Sequence, residues 1–181
     1  MNMGLEIEKK FTVKKLPDEL KSYAYHHIEQ GYLNVHPAIR VRQEDDHYYM
    51  TYKGANGIMA KEEYNMDLDE ASYKHMLKKA DGNIITKKRY LIPINEDAFS
   101  KEYLDEHKED AKAFWDGNIK IELDVFEGFF EGLIIAEVEF PSIEAADNYK
   151  PADWFEKEVT GMKEYSNAQL TKLEKFIVEK A

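Results

Sequence analysis

The 181 residues include no cysteine, only 5 prolines and only 9 glycines. Without cysteine there are no disulfides, thiolate metal sites or cysteine nucleophiles, so any metal must be held by oxygen or imidazole, and a reducing compartment is compatible. No apolar run approaches the roughly 18 residues that cross a bilayer, and no charged-then-apolar leader opens the chain. A soluble, intracellular protein of the cytoplasm is therefore expected. Positive charge is short as well: 25 Lys and Arg stand against 36 Asp and Glu, a formal charge of -11. That argues against nucleic acid or an anionic membrane as a broad partner, and leaves room for a local basic pocket. Linkers rich in Gly, Ser or Pro, low-complexity tracts and clear repeats are also missing. With 43% hydrophobic residues the chain reads as one domain over residues 1–181.

What the chain does contain is alternation of polar and apolar residues, the pattern of strands whose successive side chains point to opposite sides. Leu5 to Val13 puts Glu6, Glu8, Lys10 and Thr12 on one face and Leu5, Ile7, Phe11 and Val13 on the other. Ile28 to Val35 aligns Gln30, Tyr32 and Asn34. Ala38 to Glu44 aligns Arg40 and Arg42, and Tyr48 to Gly54 aligns Tyr49, Thr51 and Lys53, joined through Asp45-Asp46-His47 as a hairpin. Ile58 to Met66 carries Lys61, Glu63 and Asn65. Ile84 to Ile94 carries Lys87 and Arg89, Asn118 to Phe126 carries Lys120, Glu122 and Asp124, and Leu133 to Phe140 carries Glu137 and Glu139. Helices are expected from Leu16 to His27, Asp67 to Ala80, Ala98 to Phe114, Ala152 to Glu158 and Asn167 to Glu179, the last capped by Ser166.

Eight strands with short or helical connections predict an α+β fold: an eight-stranded antiparallel sheet closed into a barrel, large enough inside for one ligand. The pattern alone admits either orientation of the charged faces. Two features favour placing them inside. The helices suffice to cover an apolar exterior, and the polar faces repeat like charges (Glu-x-Glu, Arg-x-Arg, Lys-x-Arg, Glu-x-Asp) where solvated surfaces mix signs. Unpaired, such charges would cost several kcal/mol per ion to bury. The lumen must then be compensated by ligands: carboxylates Glu6, Glu8, Glu122, Asp124, Glu137 and Glu139 for a hard cation, Mg²⁺ or Mn²⁺, and the cations Lys10, Arg40, Arg42, Lys53, Lys87 and Arg89 for a chain of phosphates. Lys61, Glu63 and Lys120 are expected to stand behind them.

The ordered set Glu6-x-Glu8-x-Lys10, Arg40-x-Arg42, Lys53, Lys87-x-Arg89, Glu122-x-Asp124 and Glu137-x-Glu139 resembles the CYTH-domain, or triphosphate tunnel metalloenzyme, family. The phrases QGYL (30–33), IRVR (39–42), TYKG (51–54), ELDVFEG (122–128), AEVEF (136–140) and EVTG (158–161) extend the likeness over nearly the whole chain. The resemblance implies an eight-stranded tunnel, divalent metal and hydrolysis of a small triphosphate, with inorganic tripolyphosphate the leading substrate. Class IV adenylate cyclases and thiamine triphosphatases use similar clamps, and a non-catalytic polyphosphate binder is a third reading. Lys61-x-Glu63-x-Asn65 departs from the Arg-x-Glu-x-Glu often found in the family, which weakens any metal role for Asn65.

On this reading Arg40, Arg42, Lys53, Lys87 and Arg89 clamp the triphosphate, the acidic residues hold one or two metals, and water attacks in line. Lys10 contacts the phosphoryl group being transferred, and Tyr32 positions Lys10 or the water. The partner is a small molecule, and the chain is a monomer or homodimer. His26, His27, His75 and His107 read as surface residues. Trp115, Trp154 and Phe155 read as packing between helices and barrel, and Lys101 to Lys112 as a solvated helix face.

Overall fold

The computed structural model describes residues 7–54 and 63–176. Nine strands form one antiparallel sheet: β1 (Glu8–Val13), β2 (Tyr25–Val35), β3 (Ala38–Glu44), β4 (His47–Lys53), β5 (Glu63–Asp67), β6 (Asp81–Pro93), β7 (Lys120–Glu127), β8 (Ile134–Glu139) and β9 (Phe155–Glu158). Their order is β5-β4-β3-β2-β6-β7-β8-β1-β9. β4 and β1 lie near opposite ends of that order, yet Lys53 of one and Lys10 of the other line a single cavity, so the sheet is strongly curled. Among the described residues no pairing joins β5 to β9, and the ring is not closed.

Alternation decides which face is which. Ile7 just before β1, Phe11 of β1, Ile92 of β6, Ile121 and Leu123 of β7, and Ala136 and Val138 of β8 share the outer face. They pack there under α2 (Lys101–Glu106), α3 (Lys108–Trp115) and α4 (Ile143–Asn148) through Tyr103, Leu104, Phe114 and Ala145. α1 (Glu70–Leu77) covers the outside of β2, β3 and β4, with Tyr73 buried and its hydroxyl donating to Glu29 Oε1 at 2.8 Å. Asp69, Ser100 and Ser142 cap α1, α2 and α4, each accepting a backbone N–H three residues on. The main core thus lies outside the curl, as the helices and the repeated like charges predict. The inner face is not charged throughout: Tyr32, Ile85, Phe126 and Ile135 form an apolar patch against Phe130 and against Leu170 of α5 (Asn167–Leu170).

Several expected elements differ. Ala152 to Glu158 is no helix; Phe155–Glu158 pairs with β1, adding a ninth strand. Phe155 stacks on Phe11 at 4.5 Å, a contact worth about 1 kcal/mol beyond burial, and the free β1 edge satisfies its backbone. Leu16 to His27 holds only a 3-10 turn at Leu20–Ser22, because β2 begins at Tyr25 to match the full length of β6, pairing Tyr25 with Tyr90 and His26 with Arg89. The helix expected over Ala98 to Phe114 is divided at His107 into α2 and α3. Its charged run is not wholly solvated: Asp110 is buried and accepts hydroxyls from Tyr103 and Ser142. Trp115 is 72% exposed, whereas Trp154 and Phe155 do pack as expected. Within the described residues the last helix is the short α5, capped by Ser166 as anticipated; Thr171 and Leu173 instead accept from Asn83 of β6. The expected strand starts at Leu5 and Ile58 lie outside the described residues. No helix among the described residues is long and apolar enough to cross a membrane.

Candidate active site

Register brings the charged positions together. Arg89 and Asp124 are direct partners across β6 and β7, as are Lys10 and Glu137 across β1 and β8, and Glu122 and Glu137 across β7 and β8. Arg89 Nε and Nη2 donate to the two oxygens of Asp124, each at 2.7 Å; Nη2 also reaches Glu137 Oε2 at 2.6 Å, and Nη1 donates to Glu122. Lys87 donates to Asp124, and Lys10 Nζ lies 2.7 Å from Glu137 Oε1. One wall of the site is therefore a lattice in which three cations hold three carboxylates.

The facing wall is sparser in acids. On β3 and β4, Arg40 and Lys53 meet Glu63, with Lys53 Nζ at 2.8 Å and Arg40 Nη2 at 3.9 Å from it. Arg42 donates through Nε to Gln30 Oε1 at 2.9 Å and through Nη1 to the Tyr49 hydroxyl at 3.1 Å, while Tyr49 donates to Glu44 at 2.6 Å. Arg40 Nε and Gln30 Nε2 are buried and find no hydrogen-bond partner among the described residues. Between the walls lies a cavity of about 540 Å³.

Burial and neighbours set the charge states. Burial drives the Lys87 ammonium down to about 8, with Arg89 adding to the effect against the pull of Asp124 and Glu137. Burial also acts against Lys10, but Glu137 and Glu8 hold it above the ordinary lysine value. Burial disfavours ionised Glu137, yet Lys10, Arg89 and Lys87 hold its carboxyl well below the usual range. Glu122 is raised by burial despite Arg89, because Glu137 and Asp124 crowd it with like charge. Arg42 is lowered by burial and by Arg40. The Arg40–Arg42 pair carries positive charge that Glu63, 3.9 Å from Arg40, and Glu44, 3.7 Å from Arg42, only partly offset.

Of the sequence-derived candidates, Glu8, Lys10, Tyr32, Arg40, Arg42, Lys53, Glu63, Arg89, Glu137 and Glu139 all line the cavity. Lys87 and Asp124 sit fully buried behind Arg89, and Glu122 reaches the site through Arg89. Lys120, the first residue of β7, is exposed and takes no part in the wall. Glu6 and Lys61 lie outside the described residues. Tyr32 is buried and its hydroxyl engages Arg40, the pairing partner of its own backbone position. Among the described residues no three acidic or imidazole groups stand, as they are, in an arrangement that would hold a metal ion. Glu8 and Glu139 do face each other in direct register on the cavity wall, one strand position from Glu137 and Lys10.

The CYTH domain family model matches residues 4–177. The chain belongs to the CYTH family. Over 169 residues it is 32% identical to an inorganic triphosphatase of Nitrosomonas europaea, covering 91% of this chain and 95% of that one. Over 174 residues it is 34% identical to an inorganic triphosphatase of Acetivibrio thermocellus, covering 94% and 95%. A crystal structure of an inorganic triphosphatase superposes with a TM-score of 0.65 at 30% identity, over 97% of this chain and all of that one.

Sequence reasoning missed two parts of this CYTH site. The segment from Val159 to Gln169 forms a side of the cavity, with Thr160 Oγ1 accepting from the Lys10 backbone N–H at 3.1 Å and Val159 N donating to Lys10 O at 2.8 Å. No periodicity announces its first part, Val159 to Met162, because that is irregular chain held by tertiary contact. Gln30 and Tyr49 were on the right faces, but a search for charge passes over neutral side chains.

Proposed function

We propose that this chain hydrolyses inorganic tripolyphosphate to orthophosphate and pyrophosphate with the aid of a divalent cation. The observation that carries the reading is the cavity itself: Arg40, Arg42 and Lys53 face Lys10 and Arg89 across a space bordered on one side by Glu8, Glu137 and Glu139. Two relatives more than 30% identical over nearly their full length are inorganic triphosphatases.

The basic wall binds. Arg40 and Arg42 present planar donor forks suited to phosphoryl oxygens, and the unpaired Arg40 Nε is a buried donor awaiting an acceptor. Lys53 and Arg89 extend the clamp along the chain of phosphates, fixing it for in-line attack. Lys10, held by Glu137 and fastened at its backbone by Thr160, is placed to neutralise the phosphoryl group as water adds and the bridging P–O bond breaks. Tyr32 orients Arg40.

The donor chemistry on the acidic side fits a hard cation, Mg²⁺ or Mn²⁺, since every candidate ligand is a carboxylate. Glu8, Glu137 and Glu139 would hold it, with Glu122 and Asp124 behind. Such an ion supplies Lewis-acid neutralisation of phosphate oxygens and a more acidic water. In this reading the curled sheet encloses the bound triphosphate as a tunnel, and the enzyme works in the cytoplasm as a monomer or homodimer.

The test is purified full-length protein with Mg²⁺ or Mn²⁺, offered tripolyphosphate, ATP and thiamine triphosphate, with phosphate and cyclic AMP both measured. Phosphate release from tripolyphosphate, abolished by EDTA and reduced in Glu8→Gln, is expected. Release from none of the three would sink the hydrolase reading, and cyclic AMP from ATP would replace it by a cyclase.

A further inference from the structure

Gln30 is a neutral side chain set against a buried cation of the inner face, and its surroundings are unlike those of a simple packing residue. It is fully buried on β2, in direct register with Arg42 on β3. Its Oε1 accepts from Arg42 Nε at 2.9 Å, while its Nε2 donates to nothing among the described residues. Arg42 also donates to the neutral Tyr49 hydroxyl, and the carboxylate oxygen that pairs with it among the described residues, on Glu44, stays 3.7 Å away and already accepts from Tyr49.

For the stability of the empty protein, glutamate would serve better at this position. It has the same shape, would accept from Arg42 Nε as a charge-assisted bond, would compensate a buried guanidinium, and would leave no orphaned N–H. The glutamine makes sense if Arg42 must stay uncompensated. A guanidinium aimed by a neutral acceptor keeps its charge for an incoming anion, whereas one already paired with a carboxylate must give up that partner or share it.

We propose that Gln30 is a positioning residue for the triphosphate: it fixes the plane of Arg42 through Nε while withholding negative charge, so that the positive charge of Arg42 is spent on a phosphoryl oxygen. This rests on the triphosphatase reading. The Gln30→Glu substitution separates the two properties that Gln30 trades against each other. A merely structural residue would lose stability and binding together.

Calorimetric binding of tripolyphosphate and thermal unfolding would be measured on wild type, Q30E and Q30M, with steady-state kinetics alongside. Q30E is expected to unfold at the wild-type temperature or higher yet bind tripolyphosphate at least tenfold more weakly, the loss appearing in KM more than in kcat. Q30M, lacking the acceptor, is expected to bind several-fold more weakly and serves as the deciding variant if Q30E does not fold. Wild type that binds with Q30E binding equally well, or with Q30M equal to wild type where Q30E is unfolded, overturns this proposal alone. Wild type that takes up no tripolyphosphate overturns the triphosphatase reading and this proposal with it.

Discussion

Arg89 and Asp124 occupy paired positions of β6 and β7 and join fork to fork, Nε to Oδ1 and Nη2 to Oδ2, each at 2.7 Å. Lys87 approaches the same carboxylate from the same strand as Arg89, so one buried acid organises a fully buried cation and a partly buried one. Asp124→Asn keeps the shape and removes the charge. Breaking a buried pair of this kind costs about 3 kcal/mol, because the partners are left uncompensated. Urea denaturation without substrate should show a loss of that order; an unchanged midpoint would mean that Glu122 and Glu137 take over the cations.

Lys10 and Tyr32 should separate kinetically. Lys10 carries its charge into the cavity beside Glu137, so Lys10→Gln should lower kcat on tripolyphosphate by about a hundredfold, the scale for removing one pre-aimed electrostatic group. The Tyr32 hydroxyl engages Arg40, part of the proposed phosphate clamp, and Tyr32→Phe should act mainly on KM. A fall in kcat for Tyr32→Phe as large as that for Lys10→Gln, with KM unmoved, would place Tyr32 at the reacting group.

Gly31 reports on the outer layer. A Cβ there would meet Ala80 Cβ at 2.7 Å and Leu77 Cδ1 at 2.9 Å, where the end of α1 lies over β2. Overpacking a close contact costs about 1–3 kcal/mol, so Gly31→Ala should lower the unfolding midpoint while KM changes little. A variant as stable as wild type would show that α1 can shift outward freely.

Alkali should weaken the fold. Burial raises the pKa of Tyr73, Tyr103 and Tyr149 above the ordinary value, helped at Tyr73 by Glu29, at Tyr103 by the bond to Asp110 and at Tyr149 by Asp97. Above about pH 10 the unfolded chain releases these protons and the native state keeps them, so the unfolded state binds fewer protons and stability falls as pH rises. Denaturant midpoints should drop between about pH 10 and pH 12. Tyr149→Phe, which removes one such proton, should drop less over the same interval.

How far the sequence reached is clearest at particular residues. β1 was legible because Ile7 and Phe11 alternate with Glu8 and Lys10, and a strand whose apolar face lies under helices must turn its charges inward. Phe155 to Glu158 was read as helix, since four residues carry too little pattern to oppose a local guess; a free β1 edge and the Phe11 ring made it a strand. Leu16 to His27 failed for a similar reason, its end drawn into β2 by the length of β6.

The sequence by itself determined the alternation, and with it which residues share a strand face and the order of cations and acids along the chain, because successive side chains in a strand point to opposite sides. The tertiary structure decided that the charged face turns inward, with the apolar one covered by helices. Only the tertiary structure decided which charges meet. Register put Arg89 on Asp124 and Lys10 on Glu137, curled the sheet so that Lys53 shares a cavity with Lys10, and folded Val159 to Gln169 across its side. It also set a neutral Gln30 against Arg42. Those are contacts between residues far apart in sequence, and local pattern holds no information about distance through space.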